Sequence, residues 1–331
     1  MAQMKYYYEL TVSSSPHVHS PVTTQTIMRD VLIALVPAMI MSVYYFGFRA
    51  LTLTAVSVAA CYFFEKMWNK LMKKHDKTYD LSACVTGVLL AFVCPVTVTY
   101  WQIILGAAFA ILLVKMLFGG LGRNVVNPAL AGRAFMMSWP VAMSTWIKVG
   151  FNNAAAVINP VDVVTAATPM ANMHQGLMPE ESWIELFMGN VGGCLGETSA
   201  LALLIGLVYL LARKVIKITI PASYIGTVAL LTLIFPQGNN NLEWMLCQIF
   251  GGGLMLGAIF MATDYVTSPL TTMGQIIYGV GCGILTVMIR YFGGYNEGVS
   301  YAILCMNCCV VLLDRLGRPV KFGAPKKEAA K

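Results

Sequence analysis

Long apolar segments recur along this chain and restrict what it can fold into. Ten of them approach the ~17–25 residues that a helix needs to cross a bilayer, and they fall near residues 28–47, 51–70, 80–97, 101–118, 126–146, 194–212, 216–236, 243–263, 272–292 and 298–315. Hydrophobic residues make up 58% of the chain and charged residues 11%, whereas about 25% of residues are charged in ordinary soluble domains. The sequence therefore predicts an all-α integral membrane protein of about ten transmembrane helices.

The positive charges alternate from one interval between these segments to the next. Nineteen of the twenty-two lysines and arginines lie in the amino-terminal segment, the carboxyl-terminal tail and every second interval, and Arg49, Lys148 and Arg290 alone lie in the others. Cytoplasmic loops of membrane proteins collect lysine and arginine. Both termini are therefore predicted to be cytoplasmic, and the net charge of +7 needs no nucleic-acid partner to explain it.

Two stretches in different halves of the chain resemble each other. Residues 101–112 and 274–285 are identical at six of twelve positions, and Phe-Gly-Gly follows each at nearly the same offset. Proline-interrupted stretches around Pro95 and Pro269 precede them. The pattern indicates an internal duplication of five helices each, and because five is odd, the two copies are expected to be inverted in the membrane.

This pattern divides the chain into five parts. We expect a cytoplasmic amino-terminal segment at 1–27, a first five-helix repeat at 28–146 and an extracytoplasmic loop at 147–193. The second five-helix repeat follows at 194–315, and a basic cytoplasmic tail occupies 316–331.

The loop between the repeats carries the short polar stretch Asp162-Val-Val-Thr165-Ala-Ala167-Thr168-Pro169. Pro169 disfavours a helical conformation at Thr168, so the sequence predicts a small, accessible hydroxyl. A threonine hydroxyl is a poor nucleophile, and the stretch holds no His or Lys to act as its base. Modification of Thr168 would need a separate enzyme, and a helix cap or turn is the alternative interpretation.

Two glycine-rich segments offer backbone and side-chain donors. Residues 119–133 contain Arg123 and Arg133, which offer forked donors for a phosphate or a carboxylate, and Asn124 and Asn127, which suit a polar ring edge. Residues 189–199 contain Gly192 and Gly193 before a predicted helix, where backbone N–H groups can bind an anion. A structural turn explains the first segment about as well, and close helix packing explains the second.

Acidic residues inside predicted membrane segments are costly and mark candidate ion or proton pathways. Asp264 and Glu197 are the two such residues that we single out. Either one also suits a simpler role, which is to pair with a nearby arginine or to cap a helix. The spacing Cys305-x-x-Cys308-Cys309 resembles a metal motif, but the neighbouring residues are typical of a helix core, and we expect no metal site.

The stretch at 162–168 resembles the motif Asp-x-x-(Ser/Thr)-(Gly/Ala)-Ala-Thr of the RnfD and NqrB family of membrane subunits. In that family a flavin transferase joins FMN through its phosphate to the last threonine. Asp162, Thr165, Ala167 and Thr168 match residue by residue, so the resemblance implies a covalent FMN on Thr168. Ala166 stands where the family often has glycine. The Gly-Arg-Asn, Asn-Pro, Gly-Asn-x-Gly-Gly and Ala-Thr-Asp-x-Val-Thr-Ser-Pro segments extend the resemblance over nearly the whole chain.

The resemblance implies a urea-transporter-like fold in the bacterial cytoplasmic membrane, with the flavin loop outside. It also implies a subunit, not catalytic alone, of an Rnf-type complex that couples electron transfer between reduced ferredoxin and NAD to Na⁺ or H⁺ pumping. The expected partners are iron–sulfur subunits, a second flavin subunit and the flavin transferase. A second, noncovalent flavin, a quinone-reducing NqrB-like role and a flavin-free channel or transporter of the same fold are open alternatives.

Overall fold

The chain was analysed as a computed structural model that describes residues 22–73, 78–139, 143, 146, 168–179, 181–238, 240–295 and 297–316. These residues form helices and connections, and no strand occurs among them. The first half contains α1 (Thr24–Phe46), α2 (Phe48–Leu71), a 3₁₀ turn (Thr78–Asp80), α3 (Ser82–Phe92), α4 (Tyr100–Ala108), which continues as a π-helix (Phe109–Met116), and α5 (Pro128–Met137).

The second half begins with two short helices. It contains α6 (Pro169–His174), α7 (Trp183–Met188), α8 (Ala200–Ala212), α9 (Thr219–Ile234), α10 (Asn241–Phe250), α11 (Leu254–Leu256), which continues as a π-helix (Gly257–Met261), α12 (Thr272–Phe292) and α13 (Val299–Leu316). Each of the ten predicted apolar segments contains at least one of these helices.

Length and hydropathy identify membrane spans among the described helices. Four of them, α1, α2, α12 and α13, are long and apolar enough to cross a bilayer, and the bent pair of α10 with α11 and its π-helix would make a fifth. Large apolar side chains also point away from the protein interior, among them Ile40, Val208 and Phe292, which are 61%, 66% and 81% exposed. Soluble monomers seldom expose apolar surface on this scale, so the chain is a multi-pass membrane protein.

The third predicted segment is not one continuous helix. It ends as a helix at Phe92, and residues 93–99 are nonhelical before α4 begins. Pro95 cannot donate a helical hydrogen bond, and the freed carbonyls are used by another part of the chain. Leu195 N donates to Cys94 O at 3.0 Å and Gly196 N donates to Phe92 O at 2.9 Å.

The sixth and eighth predicted segments also differ from continuous spans. Residues 194–199 are nonhelical and α8 starts only at Ala200, because the stretch around Gly196 packs on the end of α3 instead. The eighth segment bends by 60° between α10 and α11. Gly252 and Gly253 have φ values of 63° and 69° there, a left-handed conformation that glycine adopts without strain. A second nonhelical stretch, 262–271, contains Pro269.

The described helices pack mainly within each half, and two pairs of helices make contact across the halves. In the first half α2 packs on α3 and α4, and in the second half α9 packs on α10 and α12. Across the halves, α1 packs on α8 and α5 packs on α13. These contacts pair the first helix of one half with the first of the other, and the fifth with the fifth.

Candidate functional site

Thr168 lies at the start of a short helix that is anchored in the protein interior. It is the N-cap of α6, with Pro169 at the first helical position, where the fixed φ of proline suits a helix start. Met170 and Met173 insert into a small apolar cluster with Leu186, Val191, Trp244 and Cys247. This packing draws Thr168 inward, so that it is 5% exposed and less accessible than its sequence suggests.

Two cavities meet at Thr168. The smaller, about 20 Å³, is lined by Gly192, Gly193, Glu197 and the glycines of the α10–α11 bend. The larger, about 250 Å³, is lined by Arg133, Met137, Met143, Trp146, Gly294, Tyr295 and Glu297. We call the two cavities together the threonine site. A Cβ added at Gly193 would meet no atom within 4 Å, so its backbone faces open space.

A buried arginine with two carboxylates forms one wall of the threonine site. Arg133 of α5 donates from Nη1 to Glu197 Oε1 at 3.2 Å and to Ser300 Oγ at 3.0 Å. Its Nη2 forms a short ion pair with Glu297. The Arg133 side chain is 4% exposed, and the side chains of Glu197 and Glu297 are 6% and 10% exposed. Two carboxylates around one guanidinium leave this cluster with one excess negative charge when all three groups are ionised.

A further cavity, separate from these two, lies away from Thr168. It has a volume of about 70 Å³, and its mostly apolar wall includes the polar residues Lys115, Asn124, Asn127 and Asp264. We call it the asparagine cavity. Asn124 is 7% exposed, and its Oδ1 is buried without a hydrogen-bond partner. Asn127 caps α5 by accepting from Ala129 N at 3.0 Å, while its Nδ2 donates to Met261 O at 3.3 Å.

Lys115 in this cavity belongs to a buried ion pair. Its Nζ donates to Glu65 Oε2 at 2.7 Å and to Ser82 Oγ at 2.6 Å. Ser82 Oγ donates in turn to Asp80 Oδ1 at 2.6 Å. Lys115 and Glu65 are 1% and 3% exposed, so the pair is shielded from water.

The structure divides the predicted site residues into two groups. Thr168, Gly192, Gly193 and Glu197 line the threonine site, whereas Asn124, Asn127 and Asp264 line the asparagine cavity. Arg123 is exposed at the surface, and Asp162, Thr165 and Ala167 lie outside the described residues. Glu197 pairs with an arginine, as the simpler interpretation predicted, and Asp264 Oδ2 accepts from Thr267 Oγ1 at 3.1 Å.

Sequence reasoning missed one charged residue of the threonine site, Glu297, which lies between predicted segments and carries no motif. Arg133 was recognised as a forked donor for a phosphate or a carboxylate, but its partners were not. Burying a charge in a membrane segment is costly, so a buried arginine predicts a partner of opposite sign. Which partner is chosen depends on the fold, because 64 and 164 residues separate Arg133 from its two carboxylates.

Comparison with known proteins places the whole chain in one family. The model of the NQR2, RnfD, RnfE family matches residues 11–323. The chain is 46% identical over 328 residues to the D subunit of the Na⁺-translocating ferredoxin:NAD⁺ oxidoreductase complex of Acetobacterium woodii, covering 97% of this chain and 98% of that protein. It is 39% identical over 329 residues to the D subunit of the proton-translocating ferredoxin:NAD⁺ oxidoreductase complex of Clostridium ljungdahlii, covering 95% and 96%.

A third relative has a lower sequence identity and matches over a similarly large share of both chains. The D subunit of an ion-translocating oxidoreductase complex of Aeromonas salmonicida is 33% identical over 347 residues, covering 96% of this chain and 99% of that protein. The similarity thus includes the described helices, the threonine site and the asparagine cavity. The chain belongs to the NQR2, RnfD, RnfE family of membrane proteins.

Proposed function

We propose that this chain is the membrane subunit of an Rnf-type complex and carries FMN covalently on Thr168. In this role it relays electrons between ferredoxin- and NAD-linked centres of partner subunits, coupled to translocation of Na⁺ or H⁺. Three relatives, each named as the D subunit of an ion-translocating complex, match it almost end to end. The single observation that carries the proposal is that the matching threonine lines a cavity bounded by aromatic, thioether and charged side chains.

The residues present fit an FMN attached at this position. Trp146, Tyr295, Met137 and Met143 line the larger cavity and offer flat and polarisable surfaces to a planar ring. The free backbone face of Gly193 suits the phosphate that would join the ring to Thr168. When bound, the flavin supplies one-electron chemistry, and the protein supplies position, dielectric and charge around it.

Attachment of the flavin needs a separate transferase and access to Thr168. The structure holds the residue 5% exposed, with no cap hydrogen bond to its side chain. We propose that the transferase modifies the loop before α6 packs into its apolar cluster. The flavin then becomes enclosed as the methionines of α6 reach their positions.

We also propose that the two halves are inverted repeats in a urea-transporter-like arrangement. Two features support this: the paired contacts of α1 with α8 and of α5 with α13, and a buried basic residue just before Phe-Gly-Gly in each half. Lys115 in the first half donates to Ser82 of α3, and Arg290 in the second half donates to Gln248 of α10. Each bond joins the fourth helix of a repeat to the third. Inversion, with both termini cytoplasmic, puts Thr168 on the outer side.

The asparagine cavity is the place we propose for a second, noncovalent flavin. Asn124 presents an unpartnered buried oxygen, which suits an N–H donor at a ring edge, and Lys115, paired with Glu65, lines the same cavity. A cavity of about 70 Å³ must widen to admit a three-ring ligand. Asp264 in the same cavity and Glu197 at the threonine site are the carboxylates that we propose for the ion pathway.

The test is to locate the flavin on the denatured protein. The whole complex is produced together with its flavin transferase, and this chain is examined by in-gel fluorescence and intact mass beside Thr168→Ala and Thr198→Ala. Thr198 is a matched control, because it is also buried and lines the same small cavity. We expect one FMN, less water, on the wild type and on Thr198→Ala, and none on Thr168→Ala.

Two results would contradict the proposal. An unmodified wild-type chain, with the transferase shown to be active, would remove the redox role and favour a flavin-free transporter. A fluorescent Thr168→Ala band would place the flavin at another residue.

A further inference from the structure

Arg290 is a buried cation of α12 that is held by backbone oxygens. It is 1% exposed, and its Nη1 donates to Gln248 O at 2.6 Å and to Gln248 Oε1 at 2.9 Å. Its Nη2 donates to Gly251 O at 3.1 Å and to Gly252 O at 3.3 Å. Among the described residues, no carboxylate lies within ion-pair distance of Arg290, unlike Lys115 and Arg133. Its positive charge is therefore solvated by carbonyl dipoles and is not neutralised by direct pairing.

These carbonyls end one helix of the bent pair and border the threonine site. Gly251 and Gly252 follow α10 and line the small cavity together with Thr168. The carboxyl end of a helix carries partial negative charge, and Arg290 occupies it. Glu197 lies at the opposite side of the bend, where a Cβ on Gly253 would come within 2.4 Å of Glu197 Oε1. A cationic side chain and a carboxyl side chain thus lie on opposite sides of the bend beside the cavity.

Arg290 is also tied to the helix that carries Thr168. His174, the last residue of α6, bonds through Nδ1 to Arg290 O at 2.7 Å. A Cβ on Gly252 would lie 2.8 Å from Met170 of α6 and 2.9 Å from Arg290 Nη2. The guanidinium, the bend and α6 are consequently in direct contact, and none of them can move far without the others.

We infer that Arg290 is the residue that sets the reduction potential of the flavin at Thr168 and transmits its charge to the bend between α10 and α11. This rests on the proposed attachment of FMN at Thr168. A flavin held at Thr168 would add one negative charge to the cavity on accepting an electron from a partner redox centre without a proton. Among the described residues near the threonine site, Arg133 is already matched by two carboxylates, so Arg290 is the buried cation there that has no carboxylate partner. As it is drawn toward the flavin, its hold on the carbonyls of α10 weakens.

The charge of Arg290 can be cancelled without removing its side chain. Gln248→Glu keeps the size and the hydrogen bond of Gln248 and places a carboxylate against the guanidinium. Arg290→Gln removes the charge itself, and Arg290→Lys keeps the charge but loses the forked geometry. Arg213→Gln is the matched control, because Arg213 is a half-exposed arginine at the end of α8 whose partner is Asp30.

The measurement is a spectroscopic redox titration of the covalently bound flavin in the assembled complex. We expect Gln248→Glu and Arg290→Gln to lower the reduction potential of the flavin. At the wild-type midpoint potential, the ratio of reduced to oxidised flavin should fall at least tenfold, which corresponds to a shift of about 59 mV for one electron. We expect Arg290→Lys to keep a potential near that of the wild type, and Arg213→Gln to be unchanged. Limited proteolysis of oxidised and reduced complex should reveal a redox-dependent change near Gly251 in the wild type that Arg290→Gln lacks.

The outcomes separate this inference from the function on which it rests. A wild-type complex without covalent flavin would overturn both. A flavin-bearing Gln248→Glu complex with the wild-type potential would overturn the inference alone. Equal shifts in Arg290→Lys and Arg290→Gln would do the same, since they would indicate a role in packing and not in charge. If the Arg290→Gln complex does not assemble, Gln248→Glu is the deciding variant, because it leaves the Arg290 side chain and all its N–H donors in place.

Discussion

Among the residues that the structure describes, three buried basic side chains are neutralised to different degrees. Lys115 has one carboxylate and a hydroxyl, Arg133 has two carboxylates, and Arg290 has carbonyl and amide oxygens. Burying a charge is costly unless it is paired and hydrogen-bonded, and all three side chains are hydrogen-bonded but only Lys115 and Arg133 are paired with carboxylates. The net charges differ, since the Lys115 pair is neutral, the Arg133 cluster has one excess negative charge when its three groups are ionised, and Arg290 has no carboxylate to neutralise it.

The Lys115–Glu65 pair gives a prediction for stability. Lys115→Met should destabilise the protein by about 3–5 kcal/mol, because it leaves the Glu65 carboxylate buried without a cation. The double variant Glu65→Gln, Lys115→Met should cost markedly less, since no lone charge is left. Unfolding by heat or SDS in detergent micelles measures both. Arg213→Gln is the comparison, and a half-exposed pair of that kind contributes about 0–1 kcal/mol.

Equal losses for Lys115→Met and for the double variant would contradict this account. They would mean that the packing of the lysine stem, and not the unpaired carboxylate, determines the cost. A loss no larger than that of Arg213→Gln would mean that water reaches Glu65 in the unbound protein.

Single residues of the site could be predicted from sequence only where local chemistry distinguishes them. Thr168 was found because a short pattern surrounds it, and Glu197 because a charge inside an apolar segment is conspicuous. Arg290 donates to main-chain oxygens of residues 38 to 42 positions away, and main-chain partners leave no pattern in a sequence. The prediction of an accessible hydroxyl at Thr168 was wrong for this conformation, because Met170 and Met173 bury the helix that follows.

Among the elements, the bent pair of α10 and α11 depends most on single residues. Gly253 has φ of 69°, and a methyl group there would lie 2.4–2.9 Å from the Glu197 carboxylate. Gly253→Ala should therefore strain the backbone, displace Glu197 from Arg133 and destabilise the protein by about 1–3 kcal/mol. Gly226→Ala is the matched control, because nothing lies within 4 Å of the added Cβ and alanine favours the helix by about 1 kcal/mol.

The difference between the two glycine variants is measured by thermal unfolding of the complex in detergent. A Gly253→Ala protein as stable as Gly226→Ala would show that the bend tolerates another geometry. It would also mean that the close approach of the Glu197 carboxylate to Gly253, before α11, does not limit the residue at this position.

The two kinds of interruption were not equally visible in the sequence. The nonhelical stretches at 93–99 and 262–271 contain proline, which the sequence predicted to break a membrane helix. The bend at Gly251–Gly253 was absorbed into one continuous segment, because consecutive glycines in an apolar run are equally typical of close helix packing. The residues that contact the bend, Arg290 and Glu197, are distant from it in sequence.

At the scale of the whole molecule, the distribution of lysine and arginine predicts which ends of the helices face the cytoplasm. Leu177, after α6, and Met72, after α2, are 58% and 48% exposed and should lie on opposite sides. Single cysteines at these positions, in a variant without the nine native cysteines, can be labelled on intact cells with a membrane-impermeant maleimide. We expect Leu177→Cys to react in intact cells and Met72→Cys only after lysis; the reverse pattern would overturn the proposed orientation.

The presence of the helices could be predicted from the apolar composition of the segments, whereas the way the helices pack on one another could not. The apolar segments determine that the chain spans the membrane, and the resemblance between residues 101–112 and 274–285 suggested two halves before any contact was known. Which helix of one half touches which of the other, α1 with α8 and α5 with α13, depends on side-chain fit that a single sequence does not display.

The matching basic residues of the two halves have a further consequence. Lys115 and Arg290 occupy similar places, yet the first is neutralised by Glu65 and the second retains its charge. If the two halves are the repeats proposed above, two similar positions differ in net charge. The proposed path for charge would then meet different electrostatic surroundings from its two ends, so movement in the two directions would not be equivalent even before any partner protein is attached.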